Sequence, residues 1–260
     1  MSEPGGAPAE LFDLTGRVAL VTGASAGLGD QLARTLVAAG ARVAVTARRG
    51  ERLEKLAADL PGVYPLARDI ADEQQRVDLM ARVVAELGPV DVLVNNAGVV
   101  GEVTPAQHLD VEDVRHTVEV NLVAPMRMSA LVLPSMRERG GGSIVNIASI
   151  SGLVGIGRQV PQAAYVAAKS GLVGLTRELA LQWARYGVRV NAIAAGYFRS
   201  EMTEGLYAVP EMAAWVAENT PIGRHGRPAD FAGPLLLLAS DAGAYMTGST
   251  VVVDGGWTAR

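Results

Sequence analysis

The chain has 260 residues, of which 49% are apolar, ample for one packed interior at this size. Its formal net charge of −4 gives no support for a nucleic-acid or membrane-surface role. The absence of cysteine excludes disulfides, thiolate chemistry and thiolate metal sites. His108, His116 and His225 match no metal-ligand spacing, so no metal is expected and all three read as ordinary surface or cap residues. Among the 23 lysines and arginines only Lys55 and Lys169 are lysines. Arginine replaces lysine on a surface but not where an ammonium of adjustable pKa is needed, which singles out Lys169.

Residues 1–13, rich in Pro, Gly and Ala, read as a flexible arm ahead of a single domain over 14–260. They contain neither a basic region nor an apolar core of the signal-peptide kind, and no run is long enough to span a bilayer. A cytoplasmic protein is therefore expected. From Leu14 onward, apolar strand-like runs at 18–22, 42–46, 63–66, 90–95, 143–148, 188–193 and 250–253 alternate with helical patterns. The helices are expected at about 26–39, 51–59, 73–87, 110–137, 165–186 and 228–240. Most runs are continuously apolar, as in parallel strands covered on both faces, and the rhythm predicts a doubly wound α/β sheet. The irregular stretch 196–227, around a short helix at 210–218, reads as a lid over a site.

The first strand ends in Gly23-Ala-Ser25-Ala26-Gly27-Leu28-Gly29 and opens into a helix. Glycine permits close backbone approach to a pyrophosphate, and a helix N-terminus attracts it. The setting between two strands favours a dinucleotide site. At the end of the second strand Ala47 stands where an NAD site usually carries an acid, and Arg48 and Arg49 follow. A guanidinium grips a ribose 2′-phosphate, so NADP(H) is favoured, with NAD(H) as the alternative. The competing reading is that the two arginines cap a helix or solvate a loop.

Ligands in open parallel sheets bind beyond the carboxyl ends of the strands. Asp69-Ile70 after the third strand is placed to meet an adenine, and Asn95-Asn96-Ala97-Gly98 closes the fourth. Ser149 and Ser151 follow the fifth. Tyr165 and Lys169, spaced i and i+4, share one helix face. A tyrosine pKa of about 10 is too high for efficient acid–base work near neutrality, and a nearby cation is expected to lower it.

Together Thr22-Gly23-Ala-Ser-Ala-Gly27-Leu-Gly29, Asn95-Asn-Ala-Gly98, Asn121, Ser149 and Tyr165-x-x-x-Lys169 resemble a short-chain dehydrogenase/reductase over nearly the whole chain. The resemblance implies an α/β Rossmann-type, seven-stranded parallel sheet in three layers, and a homo-oligomer, tetramer or dimer. It makes Tyr165 the general acid/base and Lys169 the residue that lowers its pKa and holds the nicotinamide ribose. Ser149 becomes the group orienting the substrate oxygen, and Asn121 an anchor for a proton-relay water. Cofactor contacts are implied at Asp69, Ile70, Asn95, Ala97, Gly98, Gly196, Phe198 and Ser200. The chemistry implied is hydride transfer between a nicotinamide cofactor and a small-molecule ketone or secondary alcohol.

Two departures stand out. Ser149 and Tyr165 are 16 positions apart, longer than the family pattern, which leaves Ser151 as an alternative to Ser149. Ala195-Gly196 replaces the usual Pro-Gly. Within the family, the Leu11–Arg17 opening and the Tyr197–Thr203 segment resemble gluconate 5-dehydrogenase-type enzymes, with 3-oxoacyl-carrier-protein reductases as runner-up. Arg127, Arg137 and Arg139 would be the basic patch for an acyl carrier. A non-catalytic dinucleotide sensor is the reading from another class. Trp183, Trp215 and Trp257 are expected to serve packing and interfaces.

Overall fold

The computed structural model describes residue 7 and residues 9–259. Seven strands form one parallel sheet: β1 (Val18–Thr22), β2 (Arg42–Ala47), β3 (Val63–Ala67), β4 (Val92–Asn95), β5 (Gly142–Ser149), β6 (Val188–Ala195) and β7 (Thr250–Val253). Their order is β3-β2-β1-β4-β5-β6-β7, so the winding reverses between β1 and β4. At such a switch point the strand ends diverge and a crevice opens.

Period-2 alternation splits the inner strands between two cores, while the edge strand β7 packs Val251 and Val253 on one core and leaves Val252 exposed. From β1, Ala19 and Val21 pack with Leu32 and Leu36 of α1 (Gly27–Ala38), Leu53 of α2 (Gly50–Asp59) and, through the same core, Leu235 and Leu238. Val18 and Leu20 face the other way, towards Leu79 and Val83 of α3 (Glu73–Leu87). Both faces are covered, which is why these strands are continuously apolar.

The expected helix at 110–137 is two helices, α4 (Val111–Val118) and α5 (Ala124–Glu138), separated by a π turn at Glu119–Val123. Pro125 has no N–H to donate back to Asn121, so the regular ladder cannot continue through this point. Helix α6 (Ala163–Trp183) starts two residues earlier than expected, and its last turn tightens into a 3₁₀ turn at Ala184–Tyr186. Segment 196–227 holds a 3₁₀ turn at Glu201–Thr203, α7 (Glu204–Tyr207) and α8 (Pro210–Asn219). It carries an isolated bridge, Phe198 with Gly226, and backbone bonds from Gly196 to Val253 and from Ile222 to Gly255. Near the C-terminus a 3₁₀ turn at Pro228–Phe231 leads into α9 (Ala232–Ala239), shorter than the pattern suggested. The expected arm falls partly outside the described residues; within them, Glu10–Phe12 is a 3₁₀ turn. Among the described residues no helix is long and apolar enough to cross a membrane.

Candidate active site

A cleft of about 630 Å³ runs along the carboxyl ends of the strands from the glycine turn to Tyr165 and Lys169. At one end Gly23 sits at φ +71°, and a Cβ there would lie 2.6 Å from Ala97 Cα. A Cβ on Gly29 would lie 2.3 Å from the Gly23 carbonyl oxygen. Only glycine lets strand, turn and helix close to this distance. Helix α1 begins at Gly27 behind Ala26, which caps nothing with its side chain, so the first N–H groups meet no capping side chain. Ser25, Ala26, Gly27 and Leu28 all line the cleft here. A bare helix N-terminus over a Cβ-free turn fits a pyrophosphate.

The strand ends next to it fix the floor. Asn96 Nδ2 donates to the carbonyls of Thr22 (2.8 Å) and Gly23 (3.1 Å), pinning β4 to the glycine turn. Asn95 does not line the cleft. It is 2% exposed, and its amide donates to Asn146 Oδ1 (2.9 Å) and Ser129 Oγ (3.2 Å). As the last residue of β4 it points into the helix layer, so Asn96 takes the place expected of Asn95. Ala97 and Gly98 border the cleft.

Arg48 and Arg49 both line the cleft, with Ser25 of the glycine turn accepting from Arg49. Arg49 donates to Ser25 Oγ from Nε (3.2 Å) and Nη2 (2.9 Å), and its Nη1 pairs with Glu201 at 2.8 Å. Glu201 also pairs with Arg52. Arg48 is exposed and has no side-chain partner among the described residues. Asp69 and Ile70 line the cleft, Asp69 Oδ1 accepting from Ala71 N at 2.9 Å. Gly196, Phe198 and Ser200 form the facing edge.

At the other end Ser149, 7% exposed, ends β5 beside Tyr165. Its Oγ accepts from Ser151 N at 3.1 Å; Ser151 is buried off the cleft and receives Gln162 Nε2 at 3.3 Å. The long interval to Tyr165 is taken up by 3₁₀ turns at Ile150–Gly152 and Gly157–Gln159, and Ser149 keeps the position at the cleft. Lys169, 4% exposed, donates from Nζ to Ile147 O at 2.8 Å, and the ammonium lies 5.6 Å from the Tyr165 ring centre.

Burial pushes Lys169 down to about 8. Tyr165 shifts upward, because burial outweighs an opposing hydrogen bond with Ser149. This reverses the expected lowering: with the ammonium at this distance, desolvation of the phenolate dominates. Asn121 lies in the π turn, fully buried and off the cleft surface. Its Nδ2 donates to Val99 O (2.7 Å) and Thr117 O (2.8 Å), while its Oδ1 is a buried acceptor without a partner among the described residues. A Cβ on Gly98 would lie 2.8 Å from that oxygen and 3.6 Å from Lys169 Nζ, so the three converge on one point.

Other cleft residues escape sequence reasoning. His116, expected as an ordinary surface or cap residue, is exposed but lines the cleft, as do Glu201, Met202 and Thr203. The three tryptophans pack as expected: Trp183 in the core, and Trp215 against Trp257 with ring centres 5.0 Å apart. The basic patch does not form. Arg127 pairs with Glu73, Arg137 lies over the Tyr186 ring, and Arg139 pairs with Asp91 at 2.8 Å.

The family model described as Enoyl-(Acyl carrier protein) reductase matches residues 23–258. The 2-dehydro-3-deoxy-D-gluconate 5-dehydrogenase of Dickeya dadantii (strain 3937) is 38% identical over 252 residues, covering 96% of this chain and 98% of that one. The acetoacetyl-CoA reductase of Rhizobium meliloti (strain 1021) is 40% identical, over 92% and 98% of the two chains. The crystal structure of a gluconate 5-dehydrogenase from Burkholderia cenocepacia J2315 in complex with NADP and tartrate superposes with a TM-score of 0.91. It is 32% identical and covers 98% of this chain and all of that one.

Proposed function

The chain belongs to the short-chain dehydrogenase/reductase family of oxidoreductases, and we propose that it is an NADP(H)-dependent enzyme acting on a sugar acid or a related small carbonyl compound. The observation that carries this reading is the convergence of Ser149, Tyr165 and Lys169 at one end of a cleft whose other end is a Cβ-free glycine turn. The nicotinamide supplies or accepts the hydride when the cofactor is bound.

The protein's own residues manage the oxygen and its proton. Burial keeps the Tyr165 phenol protonated at neutral pH, ready to donate to a carbonyl oxygen; in the reverse direction the same oxygen takes the proton from the alcohol. Ser149 hydrogen-bonds that oxygen and fixes its distance from Tyr165. Lys169 holds the nicotinamide ribose and supplies the nearby positive charge that stabilises a developing phenolate. Asn121 Oδ1, facing Gly98 and Lys169, accepts from a water that refills the proton. The glycine turn and the α1 N-terminus bind the pyrophosphate, Arg48 and Arg49 the 2′-phosphate, and residues 196–227 act as the lid.

The named relatives act on sugar acids and on an acyl thioester. The sugar-acid reading is favoured, because none of the three arginines suited to an acyl carrier lines the cleft. The dinucleotide-sensor reading leaves Ser149, Tyr165 and Lys169 without a purpose. Exposed Leu181, Tyr245 and Val252, the last on the edge strand β7, support a homo-oligomer, with the tetramer as first choice, and light scattering tests it. The compartment proposed is the cytoplasm. The substrate is tested by following nicotinamide absorbance over keto-sugar acids and 3-oxoacyl thioesters, with NADPH and NADH in parallel. Turnover of keto-sugar acids with NADPH is expected, and preference for the thioester would overturn the substrate assignment.

A further inference from the structure

At the adenosine end of the cleft, every nitrogen of one guanidinium is already engaged. Arg49 donates two hydrogen bonds to Ser25 Oγ and gives its third nitrogen to Glu201 at 2.8 Å. The second carboxylate oxygen of Glu201 pairs with Arg52, a residue 149 positions away in sequence. Arg48, next to this cluster and on the same cleft, has no partner among the described residues. Glu201 is carried by the lid, whose preceding residue Ser200 sits with its Cβ 3.3 Å from where a Cβ of Gly27 would stand. The lid therefore crosses the glycine turn and plants a negative charge among the arginines.

We propose that Glu201 is a cofactor-discriminating residue: resting on the NADP(H) reading above, it competes with the ribose 2′-phosphate for Arg49 and so limits the preference for NADP(H) over NAD(H). A phosphate monoester carries about −1.5 to −2 charge near neutrality, against −1 for a carboxylate, and its oxygens accept from a guanidinium as the carboxylate does. To receive it, Arg49 exchanges Glu201 for phosphate oxygens, while Glu201 keeps Arg52 and the lid stays tethered. The remaining carboxylate also repels the phosphate across a short distance. A ribose bearing a 2′-hydroxyl demands no such exchange, so Glu201 stays on Arg49 and shields surplus positive charge. Its two guanidinium partners hold the carboxyl below the usual carboxylate range, so it is charged across the neutral pH range.

The test is equilibrium binding of NADPH and of NADH, read from quenching of tryptophan fluorescence, on the wild type, Glu201→Gln, Glu201→Asp and Arg48→Ala. Glu201→Gln is expected to tighten NADPH about three- to tenfold and leave NADH within about twofold, the scale of an exposed ion pair. Glu201→Asp restores the wild-type ratio. The gap between wild type and Glu201→Gln for NADPH shrinks as salt rises from about 0.05 to about 0.5 M, which a packing role of Glu201 would not produce. Equal shifts for both cofactors, or weaker NADPH binding by Glu201→Gln, overturn the proposal. Arg48→Ala separates the two levels. If it weakens NADPH alone while Glu201→Gln changes nothing, the role of Glu201 fails and the NADP(H) reading stands. If it weakens both cofactors alike, the NADP(H) reading fails and the proposal falls with it.

Discussion

On the sheet side of the cleft, Asn96, Ser149 and Lys169 are anchored by hydrogen bonds to or from backbone groups of strand ends and the turns beside them. Across from them segment 196–227, the proposed lid, is joined to the body beside the glycine turn through the ion pairs of Glu201 with Arg49 and Arg52, whose side chains are 46–47% exposed. Bonds to the backbone of a parallel sheet hold a side chain in place, whereas exposed ion pairs exchange partners with ligands and salt. The contrast assigns chemistry to the sheet side, where geometry must not change, and selection to the lid side, where it must.

The most severe way to break the sheet side is to remove its buried cation. Lys169→Met is expected to lower turnover by roughly 10²-fold or more, since it loses both the proposed ribose anchor and the charge beside Tyr165. Retention of more than a tenth of the rate would detach Lys169 from the chemistry.

Gly29→Ala comes next. The new methyl meets the Gly23 carbonyl, and overpacking at this rigid point is expected to destabilise the fold by about 1–3 kcal/mol and to abolish tight dinucleotide binding. An unchanged urea midpoint together with unchanged NADPH affinity would show that the turn yields. On the lid-facing side Arg48→Ala should weaken NADPH by roughly tenfold and NADH by less than twofold, the loss of a charge-assisted pair to phosphate. Equal losses in titrations of the two cofactors would remove Arg48 from the 2′-phosphate site.

The comparison sharpens again through pH. The unfolded chain keeps the lysine ammonium up to its ordinary value of 10.5, while the folded protein releases that proton from about 8. Between these values the unfolded state binds more protons, so stability rises with pH in that window; below about 8 the full burial cost is present. Denaturant melts of the cofactor-free protein against Lys169→Met should therefore show the wild type gaining on the variant from pH 8 to 10. A constant difference would mean the ammonium is better solvated than its burial implies.

Much of this was legible in the residues. Continuous apolar runs located all seven strands, because a parallel sheet covered on both faces has no polar side to interrupt them. The glycine spacing located the turn, and the i, i+4 pair at 165 and 169 falls where helix geometry demands. The rest depended on contacts that local pattern does not encode. Apolar periodicity runs through 110–137 unbroken, so the π turn at Glu119–Val123 had only Pro125 as its signal. Of two adjacent asparagines, which one faces the cleft depends on where β4 ends, and a single residue reverses it. The upward shift of Tyr165 required the depth of its burial, and the meeting of Glu201 with Arg52 spans 149 positions.

The measurement that bears most directly on the division between chemistry and selection is Tyr165→Phe, with NADPH affinity and turnover read on the same preparation. The phenyl ring keeps the packing of the sheet side and removes the hydroxyl, with its proton and its hydrogen bond to Ser149. Affinity is expected within about twofold of wild type and turnover lower by roughly 10²–10⁴-fold. Turnover that survives, or affinity that falls in step with it, would contradict the assignment of Tyr165 as the proton-transferring group.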